Sequence, residues 1–287
     1  MKSLSLTATA VAFAALVTST SAGITFGPVR GKPGESVRLI THSETTGGTI
    51  QRTIAGQTYN GTMSIVRDRE LVWTFRAPAA DGSRRGMVSV PKITTATKTI
   101  IGGKEEKTDD SSPLTGKMFA MSKTPTGDWK FELDGSVPLT RVKTEIDELT
   151  VYLKRDWYPT KEVNVGDSWE FDPAWVKMII EKDLAKAQTI GTMSLRQVRR
   201  SEKRQTAVID ISIRSTGADF KADGSESSAA IELSGQVTVN LDTMLDESLE
   251  LKGVLTTSSS KPGESNKVKL PIRLTATKSF VKDSGMP

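Results

Sequence analysis

From Ala229 to Leu241 the sequence alternates, and this pattern constrains the chain more than any other. Ala229, Ile231, Leu233, Val237, Val239 and Leu241 fall on one face of an extended strand, and Glu232, Ser234, Gln236, Thr238 and Asn240 on the other. A period of two with one greasy and one wet side describes a strand of an antiparallel sheet that has a single buried face. Ala207, Ile209, Ile211 and Ile213 repeat the pattern, as do Leu249, Leu251 and Leu255. So do Val268, Leu270, Ile272, Leu274 and Ala276, whose opposite side carries Lys267, Lys269 and Arg273. Pro271 has no N–H to give to a ladder, so its strand should lie at an edge or meet a bulge.

The first half alternates less cleanly. Its strand segments read as Val37 to Thr41, Thr49 to Ile54, Thr62 to Val66, Leu71 to Phe75, Met87 to Ile101, Met118 to Met121 and Trp129 to Leu133. Thr124-Pro125-Thr126-Gly127-Asp128 supplies hairpin chemistry between the last two. Short turns such as Asp81-Gly82-Ser83 and Pro262-Gly263 join antiparallel neighbours and are too short for parallel crossovers. The polar run from Gly102 to Pro113 reads as a loose loop between two strands of one sheet.

Two segments show helical spacing. Val142, Ile146, Leu149 and Leu153 follow i, i+4, i+7, i+11. In the second, Asp172 can cap, Pro173 suits the first turn, and Val176, Ile179, Ile180 and Leu184 form the stripe. The expected fold is therefore mainly β: a large antiparallel sheet curled as an unclosed half-barrel around two mid-chain helices. Two β domains split near Pro138 are the alternative to a single domain over 23–287. A membrane-spanning barrel would need aromatic girdles, and 8 Phe, 5 Trp and 3 Tyr are few for that purpose.

The head of the chain reads as an address. Lys2 precedes an apolar run from Leu4 to Val17, followed by Thr18 to Ala22 with small residues at Thr20 and Ala22, the form of a signal peptide cleaved after about Ala22. That run falls short of the roughly 20 residues a spanning helix needs. An exported protein, periplasmic or extracellular, with no transmembrane segment after leader removal is the expectation.

The inventory removes most catalytic chemistries. With no Cys and the single His42, zinc sites of the usual kind and Ser-His-Asp triads lack their parts, and His42 reads as an ordinary strand residue. Ser258-Ser259-Ser260-Lys261 lacks the companion motifs of a Ser-x-x-Lys enzyme. Asp219 to Ala230 fails as a calcium loop because Lys221 and Ala230 stand where carboxylates belong. No dinucleotide or phosphate loop occurs, so no cofactor is expected. Carboxylate chemistry survives, with Glu145, Asp147 and Glu148 or Asp167, Glu170 and Asp172 as its only candidates; the plain alternative is a solvated helix face, a turn and a cap.

Two clusters remain. Trp157, Tyr158, Trp169, Phe171 and Trp175 can line a ligand cavity or plug the helices onto the sheet. Arg196, Arg199, Arg200, Lys203 and Arg204 surround a hairpin turn, where they can meet an anionic envelope surface or simply be solvated. They lack the interleaved aromatics of a nucleic-acid site, so no nucleic-acid partner is expected.

In its order of strands, helix pair and long late strands, together with Val163-Asn164-Val165-Gly166-Asp167-Ser168-Trp169 and the run from Ile231 to Leu255, the chain resembles exported bacterial proteins of uncharacterised function. In outline it is also similar to periplasmic lipoprotein-carrier half-barrels. The resemblance implies a concave apolar face that accepts acyl chains, and it carries no residue roles. The expectation that follows is a non-catalytic binder of an apolar or amphiphilic, lipid-like ligand. A structural or adhesive envelope module and a carboxylate-dependent hydrolase are the alternatives.

Overall fold

Twelve strands join in one antiparallel sheet whose two ends never meet. The computed structural model describes residues 23–123, 129–133, 142–147, 150, 157–180, 184, 187–202, 204–221 and 223–281; the leader, Leu149, Leu153 and Glu148 lie outside them. The strands are β1 (Ser36–Ile54), β2 (Gln57–Arg76), β3 (Arg84–Ile101), β4 (Lys104–Ser111), β5 (Met118–Lys123), β6 (Trp129–Leu133), β7 (Ser168–Phe171), β8 (Gln188–Ser201), β9 (Arg204–Phe220), β10 (Glu226–Asn240), β11 (Leu245–Lys261) and β12 (Glu264–Val281). Their order is β6-β5-β3-β2-β1-β12-β11-β10-β9-β8-β7, with β4 also on β3. The halves before and after residue 138 thus contribute to a single sheet, stitched by β1 against β12. Because β6 and β7 are its two ends, the chain between them must pass from one edge to the other.

That passage carries α1, which spans 142–147; α2, Ala174–Ile180, follows β7 and precedes β8. Pro173 opens α2 as expected, its carbonyl accepting from Val176 N at 2.8 Å, and Asp172 pairs with Lys177 at 2.9 Å. Val142 and Val176 are buried and join one core with the inner face of the sheet. Ile209, Ile211, Ile213, Ile231, Leu233, Val237 and Val239 belong to the same core. Among the described residues no helix is long and apolar enough to cross a membrane.

The first half departs from the reading in three places. β1 and β2 are each one long strand where two fragments were expected, and at about 3.3 Å per residue the longest reaches about 65 Å. The apolar alternation lapses mid-strand because the inner face turns polar there, at Thr41, Ser43, Arg67 and Arg69, while backbone pairing continues: Thr41 faces Arg69 and Ser43 faces Arg67. The polar run after Gly102 is not a loose loop. Gly102 and Gly103 take φ of 57° and 79°, the left-handed pair of a tight hairpin turn, and β4 then pairs residue by residue with β3. Its fully exposed, charged side chains suit a strand with a free edge.

Pro271 lies in an interior strand, between β1 and β11. The irregularity expected around it is in its neighbour: the β1–β12 register slips between Glu44 and Thr49, opposite the stretch that holds Pro271. His42 sits on the outer face of β1, with Nδ1 2.8 Å from Asp68 Oδ1. That bond, together with the one from Lys92 at 2.9 Å, holds the Asp68 carboxyl below its ordinary value.

Two inner-face positions must be glycine. Gly235 stands opposite Leu251, and Gly253 opposite Leu233. A Cβ on Gly235 would run into the Glu250 carbonyl, and one on Gly253 into the Glu232 carbonyl. Gly253→Ala should therefore lower stability by about 1–3 kcal/mol through overpacking, where an unobstructed strand would gain about 0.5–1 kcal/mol. Ser212→Ala on the wet face should stay within about 0.5 kcal/mol. Denaturant midpoints at constant slope measure both.

Candidate functional site

The covering of the inner face is thinner than the face itself, and two cavities remain beneath it. One, of about 430 Å³, has an apolar wall of Ile231, Leu233, Leu249, Ile272, Leu274 and Ala276 from β10, β11 and β12. Trp157, Trp175 and Met178 roof it, with Thr144 of α1 beside them, and Arg67, Arg69, Thr41 and Ser43 close its polar side. The other, of about 510 Å³, lies further along β12 under the strip Phe26–Val29. Trp73, Phe75, Met121, Tyr158 and Met244 make its apolar lining. Both volumes fall in the range of about 300–1,000 Å³ usual for small-molecule sites.

The aromatic cluster divides into lining and support. Trp157 and Trp175 line the first cavity and Tyr158 the second. Trp169 and Phe171 line neither; they support Trp157. Trp169 Nε1 donates to the Trp157 carbonyl at 2.8 Å, and Phe171 packs against the Trp157 ring at 5.5 Å between centroids. The alternation of β7 turns both of these residues inward, where both are buried.

Phe26 completes the cluster and was not legible beforehand. It stacks on Tyr158 at 4.7 Å and lies 6.0 Å from Trp169. Its strip is anchored by paired backbone bonds between Ile24 and Val163, at 2.8 and 2.9 Å. Alternation of Ile24 and Phe26 is the only sequence signal, and two residues are too few to read.

A buried ion pair stands where the two cavities come closest along β12. Lys278 Nζ lies 2.9 Å from Asp246 Oδ2, with side chains only 7% and 9% exposed, and Tyr158 donates its hydroxyl to Asp246 Oδ1 at 2.9 Å. Lys278 keeps the inward parity of Leu274 and Ala276, so its placement follows from the strand period. Asp246 does not. A bulge between Ser248 and Asp246 slips the register so that Asp246 faces the buried Val239, and counting by twos would have turned Glu247 inward instead.

Of the carboxylates considered for hydrolysis, none that is described lines either cavity, and Glu148 lies outside the described residues. Glu145 accepts from Ser112, Asp147 pairs with Lys143 at 2.7 Å, and Asp167 accepts from Asn164 N at 2.7 Å within its turn. Of the basic cluster, Arg196 pairs with Asp210 at 3.5 Å and Arg204 with Glu247, while Lys203 lies outside the described residues. Neither Arg199 nor Arg200 reaches a cavity. Among the described residues no group of three or more His, Cys, Asp or Glu is placed to hold a metal ion.

No family model matches the chain, and no curated protein matches it. Among solved structures, OccK7 (OpdD) of Pseudomonas aeruginosa is similar with a TM-score of 0.29 and 6% identity, over 86% of this chain and 100% of that one. DynF, from the dynemicin biosynthesis pathway of Micromonospora chersina, is similar with a TM-score of 0.18 and 8% identity over 96% of each chain. A DUF1329 family protein from Desulfovibrio piger has a TM-score of 0.16 and 9% identity, over 86% of this chain and 87% of that one. Likenesses of this size carry no functional argument.

The ion pair gives a sharp energetic expectation. Lys278→Met strands a buried carboxylate and should cost about 3–5 kcal/mol, whereas Lys278→Met combined with Asp246→Leu should be close to neutral. Melting temperatures of the single and double variants distinguish the two.

Proposed function

We propose that this is a non-catalytic, exported protein that holds an apolar or amphiphilic, lipid-like molecule inside its half-barrel. The observation that carries the reading is the cavity of about 430 Å³ between the apolar wall of β10–β12 and the Trp157, Trp175 and Met178 roof. Apolar side chains that face a void lose dispersion contacts on that side. A hydrocarbon chain laid there would restore them and remove more apolar surface from water. The Trp157 ring is backed by Phe171 and its carbonyl by Trp169, so this part of the space is shaped before a ligand arrives. Export rests on the leader-like head of the sequence.

The reading as a binder rather than an enzyme is supported by the cavity chemistry. Among the described residues the first cavity is lined by arginines, hydroxyls and apolar groups, with no carboxylate or imidazole among them to move a proton. Of the described carboxylates weighed for hydrolysis, Asp147 sits in an ion pair and Asp167 in a turn. The adhesive alternative draws less support, since two of its arginines already have partners.

Native mass spectrometry of protein purified from its own host without detergent tests the reading. The expected result is a non-covalent adduct of lipid-like mass, lost on Ile272→Glu, which sets a carboxylate on the apolar wall. Removal of the adduct should lower the melting temperature, since a ligand present at 100 times its Kd contributes about 2.7 kcal/mol. An always-empty protein whose melting temperature ignores added lipid would overturn the proposal.

A further inference from the structure

The strip over the larger cavity is tied down by backbone bonds at both ends. Phe26, Gly27, Pro28 and Val29 lie over the space. Beyond them, Arg30 N donates to the Thr243 carbonyl at 2.8 Å. Before them, Ile24 and Val163 exchange two backbone bonds, at 2.8 and 2.9 Å, with both side chains buried. That contact is an isolated bridge outside any strand. Two bonds without a ladder around them belong to the least protected parts of a fold, so a further contact at this end decides how often the strip lifts.

Glu162, next to Val163, reaches across the bridge. Its side chain lies so close to Gly23 that a Cβ there would run into Oε1, Cγ and Cδ. Glycine is thus required for room, and not for a left-handed backbone, since its φ is not positive. Glu162 is exposed, and among the described residues it has neither a hydrogen bond nor an ion pair. What its carboxylate meets is the Gly23 backbone, whose nitrogen is bonded to the same carbon that would carry the Cβ. In the uncut chain that nitrogen is a neutral amide. Cleavage after Ala22 changes it: water adds across the Ala22–Gly23 bond, the hydroxyl going to the carbonyl carbon and the proton to the nitrogen. A carboxylate leaves with the leader and an ammonium stays on Gly23, charged at neutral pH because an α-amino group titrates at about 7.7–8.0.

We propose that Glu162 seats the ammonium that leader removal creates at Gly23, and that this ion pair latches the Phe26–Val29 strip over the cavity. The inference rests on the reading of the head as an export leader and gives its removal a second consequence: the cut that frees the chain also fastens the cavity's cover. An exposed ion pair shifts an equilibrium by up to about fivefold. Acting on a single bridge, that is enough to change the fraction of time for which the strip is raised.

Two measurements on protein purified from its own host test it. Intact mass and N-terminal sequencing come first, and Gly23 is expected as the first residue. That chain is then compared with a form acetylated at its α-amino group, with E162Q, and with acetylated E162Q, by hydrogen exchange at the Ile24 and Val163 amides. Acetylation and E162Q should each speed exchange there about two- to fivefold, with the Ile211 and Ile231 amides of the core unchanged. Because both changes remove the same pair, acetylated E162Q should exchange no faster than either form alone. Exchange that ignores acetylation, or two effects that add, overturns the latch while the export reading stands. A processed chain that begins at any other residue overturns it as well. Host protein that retains residues 1–22 overturns the export reading itself.

Discussion

A sheet that is apolar on one side and open at both ends has to find cover for that side, and everything else in this fold follows from how incompletely it does so. Strands β8 to β12 alternate with little interruption along their central lengths, so their greasy residues form a continuous concave wall. Closing the sheet into a barrel would bury the wall against itself, but β6 and β7 remain unpaired with each other. Cover comes instead from the chain that passes between those two edges, from α2 after β7, and from a short strip around Phe26, with the aromatic side chains they carry. These pieces are small against strands of up to 20 residues, and space is left beneath them.

The same constraint explains where polar groups enter the interior. A lysine on an inward position of β12 would be costly alone, and the bulge in β11 swings Asp246 to meet it while Tyr158 takes the remaining carboxylate oxygen. The pair lines the cavity under the Phe26 strip. A fold built only for stability would have placed well-packed apolar side chains at both positions. Charge on the concave face, like the conversion of β1 and β2 from apolar to polar midway along their inner sides, gives the proposed ligand polar groups to meet.

Much of the architecture could be read from residue order because sidedness is a local property. Ile209, Ile211 and Ile213 announce their strand and its buried face without reference to anything distant, and Pro173 announces the start of α2. The reading failed where tertiary pairing overrides local pattern. β4 has no apolar residue to mark it, and only its turn and its contact with β3 make it a strand. β1 and β2 looked broken at Thr41, Ser43, Arg67 and Arg69, and those four residues are the polar side of the cavity. A lapse in a strand's period, where neighbouring strands are regular, was thus the signal of a cavity wall rather than of a loop. Lys278 broke the rule in the same way, while Asp246 could not have been placed by counting because a bulge resets the count. The aromatic cluster was legible as a group, but its division into Trp157 and Trp175 as lining and Trp169 and Phe171 as support depends on a hydrogen bond between residues 12 apart.

Whether the concave wall encloses usable space is best settled by seeing a hydrocarbon chain in it. A crystal of the protein grown with a terminally brominated long-chain fatty acid would give an anomalous bromine signal. The account predicts that signal inside the half-barrel, against the Leu249, Ile272 and Leu274 wall or the Trp73 and Phe75 floor, with the backbone of the sheet unmoved. Bromine only on the outer surface, with Trp157 and Trp175 packed directly onto β10–β12 and no gap between them, would contradict it.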